Sequence, residues 1–412
     1  ENGKLWKGAD LMRGDFVAKG ADRYVVGKVE RFDQKYEMFS RIRWALPAVC
    51  RKLFFTTKMP DETKSGYTLH DAAFRNAAWD LERNYGRGNR GGKEFLYSWD
   101  REPSFEFMLP PGLRITVDDP VKETRDVKKV AKFFGASLVG VCELDRRWVY
   151  SHRYALGNTL PIVREEITDE EMAAGTSEKI EIPEEYKYAI VCAIEMNYEL
   201  LRSSPTYTMG GATGLCYSKM AFIAGSLAQF IRSLGYKAIP MGNDTACSIP
   251  LAIDAGLGEL GRNGLLITPE FGPRVRLCKV FTDLPLVPDK PIEFGVWDFC
   301  MHCQRCAEEC PARALKYGEP TTQIHNVSNR EGLLRWPINA EKCIAYWERN
   351  LSASCANCIR VCPFNKPPGW LHGAVRGGVK NTRWLDSTLV KLDKLFGYGK
   401  EFNASDFWRS DH

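Results

Sequence analysis

The spacing of apolar residues predicts alternating helices and buried strands in the middle of the chain. Residues 127–144 (VKKVAKFFGASLVGVCEL) have apolar positions at helical spacing, then a glycine, then an unbroken apolar run. The same order recurs in residues 218–242, and residues 188–196 (YAIVCAIEM) have the composition of a further buried strand. The pattern therefore predicts an α/β (α+β) core over residues 124–290.

The regions that flank this core have different patterns. Residues 1–123 are basic and in places rich in glycine, and we expect them to form an irregular arm that wraps the core. Residues 291–372 contain a dense group of cysteines and are expected to form a domain of their own. Residues 373–412 are expected to pack on the core as a C-terminal segment.

Composition excludes several classes of protein. The 412 residues are 44% hydrophobic and 26% charged, with 21 Phe, 16 Tyr and 11 Trp, which is typical of a folded protein rich in aromatic residues. The 57 basic and 52 acidic residues are dispersed, and a net charge of +5 gives no nucleic-acid footprint. The longest apolar run, residues 220–231, falls short of the roughly 18 residues that cross a bilayer. The chain begins ENGKLW without Met, so we expect that a leader was removed or that the sequence was trimmed.

Eight of the 14 cysteines lie between residues 300 and 362, which is typical of a metal site rather than of a disulfide framework. The segment FCMHCQRCAEECPARAL has the spacing C-x2-C-x2-C-x3-C-P, and a second segment, CANCIRVCP, follows one further cysteine. In bacterial ferredoxins the first three cysteines of such a run bind one [4Fe–4S] cluster, and the fourth binds the other. The predicted ligand sets are Cys300, Cys303, Cys306 and Cys362 for one cluster, and Cys310, Cys343, Cys355 and Cys358 for the other.

Two structural zinc sites are an alternative use of the same eight cysteines. Three ligands crowded into C-x2-C-x2-C, and two Cys-Pro endings, favour iron–sulfur clusters that lie close enough to pass electrons. Of the six remaining cysteines, Cys142, Cys192 and Cys278 lie in apolar runs and are interpreted as buried thiols. Cys50, Cys216 and Cys247 are given the same interpretation.

Two stretches, residues 209–218 and 254–276, are rich in glycine. The second contains G-x-G-x-x-G at Gly256, Gly258 and Gly261, but a dinucleotide site needs a strand before this motif and an acidic residue about 20 positions later. A helix-like run precedes it here, so a dinucleotide site is only weakly indicated. Glycines that allow the backbone to approach a large flat cofactor fit the stretch equally well.

Residues 255–295 (AGLGELGRNGLLITPEFGPRVRLCKVFTDLPLVPDKPIEFG), followed by the two cysteine segments, resemble the corrinoid-dependent respiratory reductive dehalogenases. The resemblance extends from about residue 30 to residue 397. It implies a nitroreductase-like core that binds a base-off corrinoid, beside a ferredoxin-like domain with two [4Fe–4S] clusters. None of the six histidines lies in Asp-x-His-x-x-Gly, the motif by which another fold ligates cobalamin, and this agrees with a base-off corrinoid.

The resemblance also implies a catalytic site and a substrate pocket. It assigns Tyr217 as the proton donor, Asn243 as its partner and Arg276 as a neighbouring cation. A phenol has a pKa of about 10, so a permanent positive charge that stabilises its conjugate base suits a proton donor at neutral pH. The alternative is a buried tyrosine that is hydrogen-bonded to an asparagine in an ordinary core. The implied pocket residues, each of which could equally belong to the core, are Phe39, Trp79, Tyr85, Thr213 and Trp347.

The activity implied by the resemblance is replacement of chlorine by hydrogen on small chlorinated alkanes or alkenes during anaerobic organohalide respiration. Aromatic walls suit such a substrate, because it offers few hydrogen bonds and is held by shape and apolar contact. The expected partners are a small membrane anchor protein and an upstream membrane electron donor, and a homodimer is one expected assembly. The expected location is the outer face of the cytoplasmic membrane, reached by the twin-arginine route, with the export signal absent from this chain.

Two other functions remain as alternatives. Epoxyqueuosine reductases modify tRNA and share the corrinoid and the ferredoxin-like module. Members of that family have an acidic proton donor where this chain has Tyr217, and they need a basic surface to bind tRNA. The sequence shows neither feature, which counts against this alternative. A non-catalytic iron–sulfur electron carrier would need the cysteine region but not the large α/β scaffold before it.

Overall fold

The computed structural model describes residues 15–16, 19–86, 95–102, 110, 112–155, 176–367 and 386–409. Its α-helices are α1 (Met38–Ala45), α2 (Pro47–Phe54), α3 (Leu69–Leu81), α4 (Pro120–Phe133), α5 (Tyr198–Arg202), α6 (Tyr207–Ser233), α7 (Ser248–Asp254), α8 (Val296–His302), α9 (Arg305–Glu308), α10 (Ala340–Arg349), α11 (Asn357–Arg360), α12 (Asp386–Leu395) and α13 (Ser405–Arg409). Its strands are β1 (Asp15–Phe16), β2 (Leu138–Glu143), β3 (His152–Ala155), β4 (Thr176–Lys179), β5 (Tyr188–Glu195), β6 (Ala238–Met241), β7 (Glu259–Leu260), β8 (Leu266–Ile267), β9 (Val275–Thr282) and β10 (Ile292–Glu293).

A four-stranded antiparallel sheet in the order β2-β5-β9-β6 forms the centre of the core. Alternate residues of β5 belong to two different apolar clusters. Ile190 and Cys192 pack with the buried residues of α4 and α6 on one face, whereas Ala189 and Val191 pack with those of α7 on the other. Because both faces of the sheet are covered, the middle strand β5 has an apolar run from Ala189 to Ile194, whereas β9 carries Arg276 and Lys279 among its apolar residues.

The helices and strands predicted in the middle of the chain are present. The run at residues 127–144 forms α4 and β2, and α4 begins at Pro120, where Asp119 caps two backbone N–H groups of the first turn. The strand expected at residues 188–196 is β5, and the order expected at residues 218–242 is α6 followed by β6. The α/β (α+β) class is confirmed, and the antiparallel pairing makes α+β the accurate description.

The expectation that residues 1–123 are irregular is wrong for the part that the structure describes. This part contains α1, α2 and α3, and each helix begins at a local start signal. Glu37 caps α1, Pro47 is the first residue of α2, and Thr68 forms a capping box with Asp71 at the start of α3. The N-terminal region therefore adds helices to the core, and α3 packs along α6.

The glycine-rich residues 209–218 lie inside α6, although glycine is about 1 kcal/mol worse than alanine in a helix interior. The glycines are needed because α3 approaches so closely. A Cβ atom on Gly211 would lie 2.2 Å from Phe74 Cε1, and one on Gly214 would lie 2.3 Å from Trp79 Cδ1. Close packing of two helices therefore overrides the local preference of the sequence.

The G-x-G-x-x-G motif also serves backbone packing. A Cβ atom on Gly258 would lie 2.1 Å from the carbonyl oxygen of Ile267, so this glycine allows β7 and β8 to pair. No helix in the described part of the chain combines the length and the apolar character needed to cross a membrane.

We predict that Gly214→Ala lowers the thermal unfolding midpoint, although alanine is the better helix former. The added methyl group would overlap the Trp79 ring, and overpacking of this kind costs about 1 to 3 kcal/mol. Gly27→Ala is the control, because the nearest atom to its Cβ would be 3.5 Å away, and its effect should stay within about 0.5 kcal/mol. A Gly214→Ala protein with the parent's midpoint would contradict the close approach of α3 and α6.

Candidate active site

The first predicted ligand set lines one cavity. Cys300 lies in α8, Cys306 lies in α9, and Cys303 lies between these helices. Cys362 reaches the same cavity from the residues that follow α11. The backbone N–H of Arg262 points at this group and donates to Cys300 Sγ at 3.4 Å. The structure therefore brings together all four predicted cysteines from two separate segments.

The second predicted set is also gathered. Burial, and then the charges of Cys355, Cys343 and Cys310, raise the pKa of the Cys358 thiol well above its usual value. The backbone N–H of Ala314 donates to Cys310 Sγ at 3.4 Å. N–H groups directed at sulfur are a feature of iron–sulfur sites, where they tune the cluster.

Burial makes these thiols poor acids without a metal. It raises the pKa of Cys343 and of Cys362 to about 12. Because iron binds the thiolate form, the positive charge of the metal would offset the cost of placing thiolates here. Within the described residues, no three His, Cys, Asp or Glu side chains are placed to hold a single metal ion.

Arg262 holds the first cysteine segment in place. Its guanidinium donates to the carbonyl oxygens of Cys300 at 2.6 Å, Cys303 at 3.0 Å and Gly318 at 2.9 Å. It also lies 4.6 Å from the centre of the Trp336 ring. The residue is 1% exposed, so these contacts are what compensates a buried positive charge.

Arg274 links the central sheet to the chain that follows Cys362. Its Nη2 atom pairs with Glu195 Oε1 at 2.6 Å, and its Nη1 atom donates to the Lys366 carbonyl oxygen at 2.7 Å. Glu195 is the last residue of β5, and Arg274 immediately precedes β9. Arg274 therefore ties the residues after Cys362 to the ends of the two middle strands.

Tyr217, Asn243 and Arg276 converge from three elements. Tyr217 lies in α6, Asn243 follows β6, and Arg276 lies in β9. The Nδ2 atom of Asn243 donates to the Tyr217 hydroxyl oxygen at 2.7 Å, and the Arg276 guanidinium lies 5.5 Å from the Tyr217 ring centre. Trp79 of α3 stacks on the same ring at 4.6 Å between centres.

This arrangement leaves the Tyr217 proton available. Because the amide of Asn243 is the donor, the hydroxyl hydrogen is not used in that bond and can be given to another group. After the proton has left, the amide donor and the Arg276 cation would both stabilise the phenolate. The arrangement therefore suits a general acid.

The five predicted pocket residues differ in their surroundings and in their exposure to solvent. Trp79 stacks on Tyr217, and Phe39 contacts Trp347 with ring centres 5.7 Å apart. Thr213 is buried in α6, one turn before Tyr217. Tyr85 lies in a π-helical turn after α3 and is 56% exposed, and no described contact joins it to the Tyr217 group.

Two stretches of the chain match separate family models. Residues 160–286 match the reductive dehalogenase subunit, and residues 299–365 match a 4Fe-4S double cluster binding domain. A tetrachloroethene reductive dehalogenase of Sulfurospirillum multivorans is 39% identical over 348 residues, which cover 82% of this chain and 69% of that protein. This chain belongs to the reductive dehalogenase family. The predictions of this family and of an oxidoreductase are confirmed.

A solved structure agrees on the fold. It is a reductive dehalogenase whose structure suggests a mechanism for B12-dependent dehalogenation, and it matches 96% of this chain with a TM-score of 0.69 at 22% identity. This chain spans 50% of the length of that protein. The predicted fold is confirmed, and the prediction of a corrinoid and two [4Fe–4S] clusters agrees with these findings.

A weaker similarity bears on the alternative function. An epoxyqueuosine reductase of Lactococcus garvieae is 26% identical over 162 residues, which is 36% of this chain. The tetrachloroethene reductive dehalogenase matches more of the chain at higher identity, so tRNA modification is not favoured.

We predict that Cys306→Ser loses about half of the bound iron, because one of two [4Fe–4S] clusters would lack a ligand. Iron and acid-labile sulfide per protein are the measurement, on protein purified without oxygen. Cys142→Ser is the matched control, since Cys142 is a buried thiol in β2 outside both ligand sets, and its iron content should not change. Full iron content in Cys306→Ser would contradict the ligand assignment.

Proposed function

We propose that this chain replaces chlorine by hydrogen on small chlorinated hydrocarbons. The observation that carries the proposal is the group of Tyr217, Asn243 and Arg276, in which an amide donor and a cation flank a phenol. An enzyme of this class must deliver a proton to carbon in a place that water does not reach freely, and a flanked phenol suits that task.

The proposed reaction consumes two electrons and one proton. The carbon–chlorine bond breaks, chloride leaves with the bonding pair, and the carbon gains two electrons and the Tyr217 proton. When bound, a corrinoid supplies the low-potential chemistry at carbon, and two [4Fe–4S] clusters supply its electrons. The phenolate that remains on Tyr217 is stabilised by Asn243 and Arg276 until solvent returns the proton.

Two buried donors, one of them on Arg276, support a large ligand with many acceptors. Arg276 Nε and Trp347 Nε1 have no hydrogen-bond partner among the described residues. Buried donors in folded proteins are nearly always paired, so unpaired ones indicate a missing partner. The carboxamide groups on the rim of a corrinoid would provide such acceptors, and we propose that these two side chains help to hold it.

The proposed substrate is a chlorinated alkene, with a chlorinated alkane as the second candidate. The relatives that share most of this chain are named as tetrachloroethene reductive dehalogenases. The apolar rings of Phe39, Trp79 and Trp347 support a substrate that is held by shape rather than by hydrogen bonds. One methyl group or chlorine changes binding in such a pocket by only about 1 to 3 kcal/mol, so several small substrates should be accepted.

The cellular context is part of the same proposal. We propose that the protein acts in anaerobic organohalide respiration at the outer face of the cytoplasmic membrane, beside a small membrane anchor protein. Electrons would come from an upstream membrane donor. The family membership supports this context, and a homodimer stays a prediction.

We predict chloride release by the protein purified without oxygen, with a reduced viologen as donor and a panel of chlorinated ethenes, ethanes and methanes. Cobalt and iron are measured on the same sample, and two cubanes with one corrinoid give about eight irons per cobalt. Protein stripped of cobalt is the control and should release none. Loaded protein that releases no chloride from any member of the panel would reject the proposed activity.

We predict that Tyr217→Phe lowers the rate of chloride release by about 10²- to 10⁴-fold, the usual contribution of a general acid. Its cobalt and iron contents should be unchanged, because the ring is kept. Tyr236→Phe is the control, since the Tyr236 hydroxyl donates to the Ile115 carbonyl oxygen at 3.0 Å and takes no part in the Tyr217 group. Chloride release at the parent rate in Tyr217→Phe would remove this residue from the mechanism.

A further inference from the structure

Lys279 is a fully buried lysine of the central sheet, and it bonds to the turn that carries Asn243. It lies in β9, is 0% exposed, and is the ladder partner of Met241, the last residue of β6. Beyond Met241 the chain leaves the sheet, and the Lys279 ammonium donates to the carbonyl oxygens of Gly242 at 2.5 Å and Asp244 at 3.4 Å. The ammonium therefore bonds to the residue on each side of Asn243.

Further bonds hold the turn of residues 242–245 closed. The Asp244 carboxylate accepts from the Gly242 backbone N–H at 3.0 Å and from Thr245 Oγ1 at 2.9 Å. Thr245 has a φ of 67°, in the left-handed region that β-branched residues rarely adopt. A backbone conformation of this kind persists where the surrounding contacts impose it, and it is common at functional sites.

Asn243 is the exposed residue of this turn, and its side chain is directed at the phenol. Its Nδ2 atom donates to the Tyr217 hydroxyl oxygen at 2.7 Å. A side-chain hydrogen bond is lost once the two atoms separate beyond about 3.5 Å, so a shift of the turn by about 1 Å would break this one. The backbone on either side of Asn243 therefore decides whether the amide reaches the phenol.

Lys279 reaches this turn from the other face of the sheet. In the ladder it lies opposite Val191 of β5, which belongs to the apolar cluster on the α7 face. Tyr217 packs against the cluster on the α4 and α6 face. A further bond of the ammonium, to Ser248 Oγ at 3.1 Å, is made to the first residue of α7. Lys279 is therefore connected to the Tyr217 group through the turn.

A lysine is unfavourable at this position if packing is its only task. A buried cation costs free energy unless it is bonded, and apolar residues of similar volume often replace buried charged groups without loss of stability. An apolar side chain here would leave the Gly242 and Asp244 carbonyl oxygens without this donor.

We propose that Lys279 is a positioning residue, which fixes the turn of residues 242–245 and thereby holds the Asn243 amide against the Tyr217 hydroxyl. The expected effect on turnover rests on the proposed function, whereas the expected effect on the geometry does not.

The test compares Lys279→Met, which keeps the length of the side chain and removes its donors, with Asn243→Ala and with the double variant. Crystals of the cofactor-loaded proteins give the distance from Asn243 Nδ2 to the Tyr217 oxygen. The kcat and KM of chloride release give the effect on turnover. Phe281→Leu is the control, since Phe281 is buried on the same face of β9, two positions after Lys279, and has no polar group with which to bond the turn.

We expect the distance to exceed about 3.5 Å in Lys279→Met and to stay at 2.7 Å in Phe281→Leu. The kcat of Lys279→Met should fall by about 10- to 100-fold, the effect of a misplaced group, and no further than in Asn243→Ala. KM should not change, because the apolar walls of the pocket are kept. In the double variant, Lys279→Met should add nothing to Asn243→Ala, because the residue through which it acts is already absent. Phe281→Leu should change the rate by the same factor with and without Asn243.

An unchanged distance in Lys279→Met would overturn the proposal, whatever the rate. A loss of rate that is the same with and without Asn243 would also overturn it, because the lysine would then act on stability alone. If Lys279→Met does not fold, Lys279→Gln takes its place, with a shorter side chain and a neutral donor, and an unchanged distance and rate in that variant would overturn the proposal in the same way. A parent protein that releases no chloride would reject the proposed function, and the crystal distances would still test the role of Lys279.

Discussion

The close approach of α3 to α6 is the constraint on which the candidate site depends. Glycines on one face of α6 leave room for the side chains of α3, and Trp79 enters the space above Gly214. This contact places the Trp79 indole against Tyr217, and the indole N–H donates to the Gly210 carbonyl oxygen. The helix loses local stability at each glycine. In return, the phenol is held between a tryptophan, an amide and a guanidinium.

The strand β9 connects the cysteine region to the same site. Arg274, just before the strand, pairs with Glu195 and bonds to the backbone after Cys362, and Arg276 lies two positions later beside Tyr217. A shift of this strand would therefore move both Arg274, which bonds to the cysteine region, and Arg276, which lies beside the phenol.

Much of this organisation is predictable from local sequence, and the failures have physical causes. Cysteine spacing predicted two ligand groups that the structure gathers, because thiolate spacing is imposed by the geometry of a cluster. Residues 209–218 gave no helical signal, since glycine opposes a helix unless a partner packs closely against it. Arg262 and Arg274 belong to no motif, because the carbonyl groups that they bind lie far away in sequence. The pocket role of Tyr85 rests on the family resemblance alone, and it stays a prediction for a residue that is 56% exposed in a π-helical turn.

The positive charge beside Tyr217 agrees with a reaction that begins with a neutral molecule and ends with an anion. The Arg276 guanidinium lies 5.5 Å from the centre of the Tyr217 ring. A buried positive charge is costly before the reaction, and a buried anion without a partner would be similarly costly after it. Placing the cation in advance transfers that cost from the reaction to the folded protein. The phenolate and the departing chloride then both form where compensating charge is already fixed.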